Sequence, residues 1–194
     1  MNGTTQAAAA DDEPSLVRQA QSGDDRAFGD LVERYMRRAY YAALGLVGSH
    51  EDALDLSQEA FVRAFRARAR LDPDRPFYAW LYQILRRLCF NFLRDRRTRR
   101  RKLREAGPWI AADVAARAAE TGPETSLRLA EERARVAAAL DALGAFDREV
   151  LVLREFEGLR YREIAALLDI PEGTVMSRLY AARRRLAAAL EDEP

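Results

Sequence analysis

Apolar positions recur every three or four residues through most of this chain, and they rarely alternate with a period of two. That rhythm predicts helices, and the abundance of Ala, Leu, Arg and Glu agrees with it. The clearest stretch is RYREIAALLDIPEGTVMSRLYAARRRL, Arg160 to Leu186. Ile164, Leu167 and Leu168 stripe a first helix, and Val175, Leu179, Ala182 and Leu186 step by four, three and four along a second. Asp169 stands where the backbone must reverse, and Asp tolerates a left-handed conformation better than most residues. Pro171 suits the first position of the next helix, which needs no backbone N–H, and Glu172 beside it faces the helix dipole. Small Ala165 lets the two helices approach. The pattern reads as a helix-turn-helix, a standard way to bring side chains into a DNA major groove. A helical hairpin packed for its own sake is the plainer alternative.

The same periodicity assigns helices to about Ser15–Ala20, Asp24–Gly48, His50–Arg70 and residues 77–104. Ser22-Gly23-Asp24 reads as a turn into a cap, and Gly48-Ser49 as a stop followed by a new start. Leu71 to Pro76, LDPDRP, is expected to be a loop, because two prolines and two aspartates in six residues do not continue a helix. Glu105 to Thr121 is Ala-rich, with Gly107-Pro108 inside it and Gly122-Pro123 after it, which suggests a linker. Beyond it Leu127, Ala130, Ala137 and Leu140 share one face of a returning helix. The expected fold class is all-α. A disordered leader at 1–13 precedes two small helical domains, 14–104 and 124–194, joined by a flexible linker at 105–123.

Composition narrows the class. Hydrophobic residues make up 48% of 194, enough for real cores, yet no apolar run approaches the roughly 20 residues that span a bilayer. The opening MNGTTQAAAADDEP has neither a basic start nor a greasy stretch, so it does not read as a signal peptide. A single cysteine, Cys89, and a single histidine, His50, exclude a disulfide framework within the chain and argue against a Cys/His zinc site. Cys89 lies among apolar residues and reads as a core filler. A cytoplasmic protein with no cofactor, no metal and no membrane insertion is the expectation.

The net charge of +1 hides a strong asymmetry: residues 1–60 carry −6, 61–104 carry +12, 105–157 carry −5 and 158–194 are neutral. Phosphate neutralisation supplies most non-specific nucleic-acid affinity, so a basic block of this size points to a nucleic acid. It peaks at Arg94 to Arg104, where eight basic residues meet the single acid Asp95. A merely solvated basic tail would seldom follow directly on a helix bearing Trp and Tyr.

Two helix faces could carry chemistry. Asp52, Asp55 and Glu59 share one face, with Gln58 beside them, while Ala53, Ala60, Phe61, Ala64 and Phe65 occupy the other side. Three carboxylates so placed suit general acids, metal ligands, a docking surface for a basic partner, or plain solvation. Catalysis would need a base and a pocket that the sequence does not offer. On the helix from Phe77, the residues Phe77, Leu81, Ile84 and Leu88 make a buried stripe that Tyr82, Leu85 and Cys89 widen. Across from it run Trp80, Gln83, Arg87 and Asn91, leading to Arg94. An aromatic, an amide and arginines in one line suit unstacked bases and their phosphates, at about 1–3 kcal/mol per stacked base. The competing placement puts Trp80 in the core, where most tryptophans lie.

Together these blocks resemble an extracytoplasmic function (ECF) sigma factor, a small dissociable subunit of bacterial RNA polymerase, over about Ser15 to Leu190. DALDLSQEAFVRAFRA, Asp52 to Ala67, resembles region 2.2 of that family, FYAWLYQILRRLCFNFLRDRRTRR its regions 2.3 and 2.4, and LGAFDREVLVLREFEG with the helix-turn-helix its region 4. The resemblance implies that Asp52, Asp55, Gln58 and Glu59 dock on core RNA polymerase. It implies that Phe77, Tyr78 and Trp80, after the loop Arg70 to Pro76, lie where a non-template base is captured. Gln83, Arg86, Arg87, Asn91 and Arg94 would line the −10 strand. Glu172, Gly173, Thr174, Ser177, Arg178 and Tyr180 would face the −35 groove, with Arg183 and Arg184 near phosphates. The partners implied are core RNA polymerase, promoter DNA and an anti-sigma factor that holds the protein inactive.

Some positions depart from the family's usual pattern. Arg87 stands where Asn is frequent, Asp169 where Gly is, Met176 where Lys or Arg is, and Ala181 where Arg is. Gly144-Ala145-Phe146-Asp147 replaces a Pro-Pro-Arg-Gln-like stretch. A bidentate arginine–guanine contact contributes about 1–3 kcal/mol of discrimination, so −35 reading is expected to rest more on Thr174, Ser177, Arg178 and DNA shape. Two other functions fit parts of the chain. A self-sufficient repressor or activator would use the helix-turn-helix as a dimer on a palindrome, leaving the Trp80 face unexplained. A helical nucleic-acid enzyme would need a metal or nucleophile beside the acid face.

Overall fold

A computed structural model describes residues 13–105, 138–140 and 142–191. The leader up to residue 12, most of the expected linker, and Leu127, Ala130 and Ala137 lie outside the described residues. Among the described residues these α-helices follow in order: α1 Glu13–Gln21, α2 Asp25–Val47, α3 His50–Arg66, α4 Phe77–Glu105, α5 Ala145–Glu155, α6 Tyr161–Leu168 and α7 Glu172–Glu191. No strand occurs among the described residues.

Local chemistry sets the boundaries. Asp24 caps α2, its carboxylate accepting from the N–H groups of Arg26 and Ala27 at 2.8 and 3.2 Å, an arrangement that contributes about 1 kcal/mol. Gly48 ends α2 at φ 76°, a left-handed conformation that glycine adopts without a Cβ clash. Ser49 then caps α3. The helix from His50 stops at Arg66, earlier than the periodicity suggests, and a 3₁₀ turn covers Arg68–Arg70. Past that end the Arg68 guanidinium donates to the Phe65 carbonyl at 3.1 Å and lies 4.0 Å over the Phe65 ring, satisfying an orphan acceptor. Asp72 holds the following loop, accepting from the Asp74 N–H at 3.0 Å. Gln21 donates to the Leu71 carbonyl at 2.8 Å, and Leu71 itself is buried.

Apolar faces of α1 to α4 meet in one core. Leu31, Leu46, Phe77, Leu81, Tyr82 and Leu85 are among its most enclosed side chains. Phe28 meets Phe65 and Phe77 edge-on, with centroids 5.2 and 6.1 Å apart, a geometry that aromatic quadrupoles favour. Cys89 is fully enclosed here, and burial pushes its thiol up to about 12, so it is an inert filler.

Helices α5 to α7 build a second unit around Leu151, Leu153, Ile164, Val175, Leu179 and Ala182. Asp169 takes the left-handed conformation expected of the turn, at φ 55° and ψ 50°. Pro171 differs by one position from the sequence expectation. Its carbonyl accepts from Thr174 and Val175, so it caps α7 rather than filling the first turn, and Glu172 opens the helix. The two units then pack together, α5 lying on α2 and α4. Gly45 permits this approach, since a Cβ there would stand 2.7 and 2.8 Å from the Val152 methyls.

Candidate nucleic-acid interface

Among the described residues three surfaces hold the sequence-predicted site residues. The first is α3. Asp55 and Gln58 are exposed, Asp52 and Glu59 half-buried, and Glu59 pairs with Arg63 one turn on at 2.7 Å. Leu54 and Val62, about two-fifths exposed, lie along the same face. Sequence reasoning passed over these two, although their spacing of eight about Gln58 could have shown an apolar line inside the acidic surface.

The second surface is α4, and here the predicted residues separate. Phe77 belongs to the core, its backbone N–H donating to Glu13 at 2.8 Å. Trp80 is half-buried beside Phe77, with ring centroids 6.1 Å apart. Arg87, Asn91 and Arg94 are exposed in one line. Tyr78, Gln83 and Arg86 turn instead toward the second unit.

That seam carries several buried polar pairs. Glu149 of α5 is fully buried; Arg86 donates to its two oxygens at 2.6 and 3.0 Å, and Tyr82 donates at 3.0 Å. In the turn after α5, Glu157 accepts from Arg38 at 2.8 Å and from Tyr78 at 2.6 Å. The Arg38 guanidinium also lies 3.7 Å over the Tyr78 ring. Gln83 donates to the Leu167 carbonyl at 2.6 Å, satisfying an orphan acceptor at the end of α6. Arg148 donates to the Gly45 carbonyl at 2.8 Å. Phe146 completes the seam against Phe90, 5.4 Å between centroids, and beneath the Arg86 and Arg178 guanidiniums.

Electrostatics follow from this enclosure. Burial raises the Tyr82 and Tyr78 phenols well above their usual value, and the facing carboxylates raise them further, so both remain O–H donors. Burial also raises Glu149, and the hydrogen bonds and charge of Arg86 recover only part of that cost.

The third surface is the front of α7. Gly173, Ser177, Tyr180 and Arg184 are exposed along one line, with Glu172 at the start of the helix and Met176 on the flank. Thr174 and Arg178 are half-buried. Arg183 pairs with Glu155 at 2.6 Å and Arg185 pairs with Asp147. Gly173 leaves room for a base edge, and the exposed Met176 and Tyr180 offer apolar contact to a thymine methyl. No group of three metal-ligating side chains occurs among the described residues, and none of their helices is long and apolar enough to cross a membrane.

Comparison with known proteins follows the same division. Sigma-70 region 2 matches residues 31–99 and Sigma-70 region 4 matches residues 133–186. The chain is similar to the RNA polymerase sigma-H factor of Pseudomonas aeruginosa, 36% identical over 179 residues, covering 91% of this chain and 92% of that protein. With the ECF RNA polymerase sigma-E factor of Escherichia coli K12 it shares 35% identity over 182 residues, 88% of this chain and 90% of that one. Among solved structures, CnrH in complex with the cytosolic domain of CnrY matches with a TM-score of 0.65 at 33% identity, covering 94% of this chain and 99% of that chain.

Proposed function

Because the chain belongs to the extracytoplasmic function (ECF) family of RNA polymerase sigma factors, we propose that it directs promoter-specific transcription initiation in the cytoplasm, with no catalytic activity of its own. The observation that carries this reading is the match along the whole chain, both halves in order, at 36% identity over 91% of its length. The α3 face, Asp52, Asp55, Gln58 and Glu59 with Leu54 and Val62 between them, docks on core RNA polymerase. Trp80 stacks on an unpaired base of the −10 element, while Arg87, Asn91 and Arg94 follow its strand; the front of α7 reads the −35 element. Each reader is weak alone. Tethered within 14–104 and 124–194, with polymerase fixing their spacing, they gain affinity through effective concentration. CnrH is known with the cytosolic domain of CnrY bound, and by that likeness an anti-sigma factor holds this chain inactive.

The test is run-off transcription. Purified chain added to core polymerase should produce promoter-dependent starts from genomic fragments. Absence of starts, with the chain alone shifting a palindromic duplex, would instead assign it to self-sufficient regulators. Asp55→Arg with Glu59→Arg should weaken association with core in fluorescence anisotropy; equal affinity removes the docking face.

A further inference from the structure

Neither Arg38 nor Tyr82 stands out in the sequence as a DNA-binding residue, yet the seam gives each the same company as its neighbour. We propose that Arg38 with Tyr78, and Arg86 with Tyr82, form two anion seats for phosphates of the melted promoter strand, which Glu157 and Glu149 occupy in the free chain. The protein thereby masks part of its own strand-binding face. The inference rests on the promoter-opening reading above and adds to it two residues and a closed state.

The donor sets carry the argument. Each seat offers one guanidinium and one phenol hydroxyl to a single carboxylate, at 2.8 and 2.6 Å around Glu157 and at 2.6 to 3.0 Å around Glu149. A planar fork with an adjacent O–H suits a phosphodiester as well as a carboxylate. Tyr78, Tyr82 and Arg86 recur every four residues along α4, and a helix advances about 6 Å in that interval. The seats are therefore in line, and beside them on the same helix run Gln83, Arg87 and Arg94. Charge agrees for the Arg86 seat: residues 61–104 carry +12 and residues 105–157, which supply both glutamates, carry −5.

The ion pairs add little to the stability of the closure. Burying an ion pair costs desolvation that its Coulomb attraction barely repays, and Glu149 is fully buried. A strand entering the seats restores a partner to each arginine while both glutamates return to water. Gln83 gives up only the Leu167 carbonyl.

A charge-neutral wedge tests this in the full chain. Gly45→Leu places a side chain where even a Cβ would meet the Val152 methyls at 2.7 and 2.8 Å, and Gly45→Ala is a milder wedge that favours helix α2. Fluorophores on α3 and α7 should report a short distance in the native chain, a longer one with Ala and the longest with Leu. A short fluorescein-labelled single-stranded DNA of mixed sequence should bind the opened chain about tenfold more tightly, as expected when a minor competent state becomes the major one. In the opened background, Arg38→Ala and Arg86→Ala should each flatten the logarithmic salt dependence by about 0.7, the signature of one lost phosphate contact on a single strand. If Gly45→Leu fails to fold, by circular dichroism, the Ala variant decides alone. A native chain already open, an opened chain with no gain in DNA affinity, or unchanged salt slopes would each overturn the proposal. Run-off transcription with core polymerase separates the two readings: promoter-dependent starts from the native chain alongside a failed wedge would remove the seats and leave the sigma function standing.

Discussion

The two helices we propose as DNA readers differ in what covers them. On α4, Tyr78 and Tyr82 are buried beneath the second unit, and Arg86 and Gln83 are bonded to it. On α7, Met176 is 54% and Tyr180 69% exposed. The two helices differ in charge as well. The α4 region sits in a block of +12, whose unscreened field would hold the free protein on any polyanion. The α7 unit is neutral and already pairs Arg183 with Glu155 and Arg185 with Asp147. Acid from the second unit pairs with Arg86 of that block, while Arg87, Arg94 and Arg97 stay exposed.

Removing the cover is the largest perturbation of that contrast. Leu179 is buried at the heart of the second unit, and Leu179→Ala should cost about 2–5 kcal/mol. Hydrogen exchange should then show α5 to α7 opening first and α4 amides near Tyr82 losing protection with them; unchanged protection at Tyr82 would deny that α5 covers it. Next in size is Trp80→Ala, which should remove about 1–3 kcal/mol of base stacking. Permanganate footprinting of promoter thymines should show reduced strand opening while affinity for core polymerase holds.

Met176→Arg tests the uncovered helix. Restoring a cation should add about 1–3 kcal/mol of preference for guanine at one −35 position, visible in selection from a randomised duplex library. Its single-strand binding should stay unchanged.

The smallest effect is one of pH. Burial raises Glu149 in the closed chain, so closure takes up a proton more readily than the open form. That contribution is complete below the ordinary glutamate range and is lost as pH rises through the raised value. The groups facing Glu149 are Arg86, Tyr82 and Arg178. The distance between the units should lengthen slightly with rising pH across that window, and Glu149→Gln should flatten the profile.

Much of this was legible beforehand. The all-helical class, the caps at Asp24 and Ser49, the left-handed Asp169 and the core role of Cys89 all follow from periodicity and local backbone chemistry, which act over a few residues. The exposed line on α7 was equally readable, because Val175, Leu179 and Ala182 fix which side is core. The early end of α3 was not, since its periodicity runs on past Arg66 into the 3₁₀ turn.

On α4 the sequence alone determined a helix with an apolar stripe and a basic flank, because side-chain spacing fixes which residues share a face. Tertiary structure decided which of those residues meet solvent. Tyr78, Tyr82, Gln83 and Arg86 are claimed by Glu157, Glu149 and a helix-end carbonyl more than sixty residues away. No local rule carries that pairing, because it depends on how closely two separate units approach, and that approach rests on a missing Cβ at Gly45.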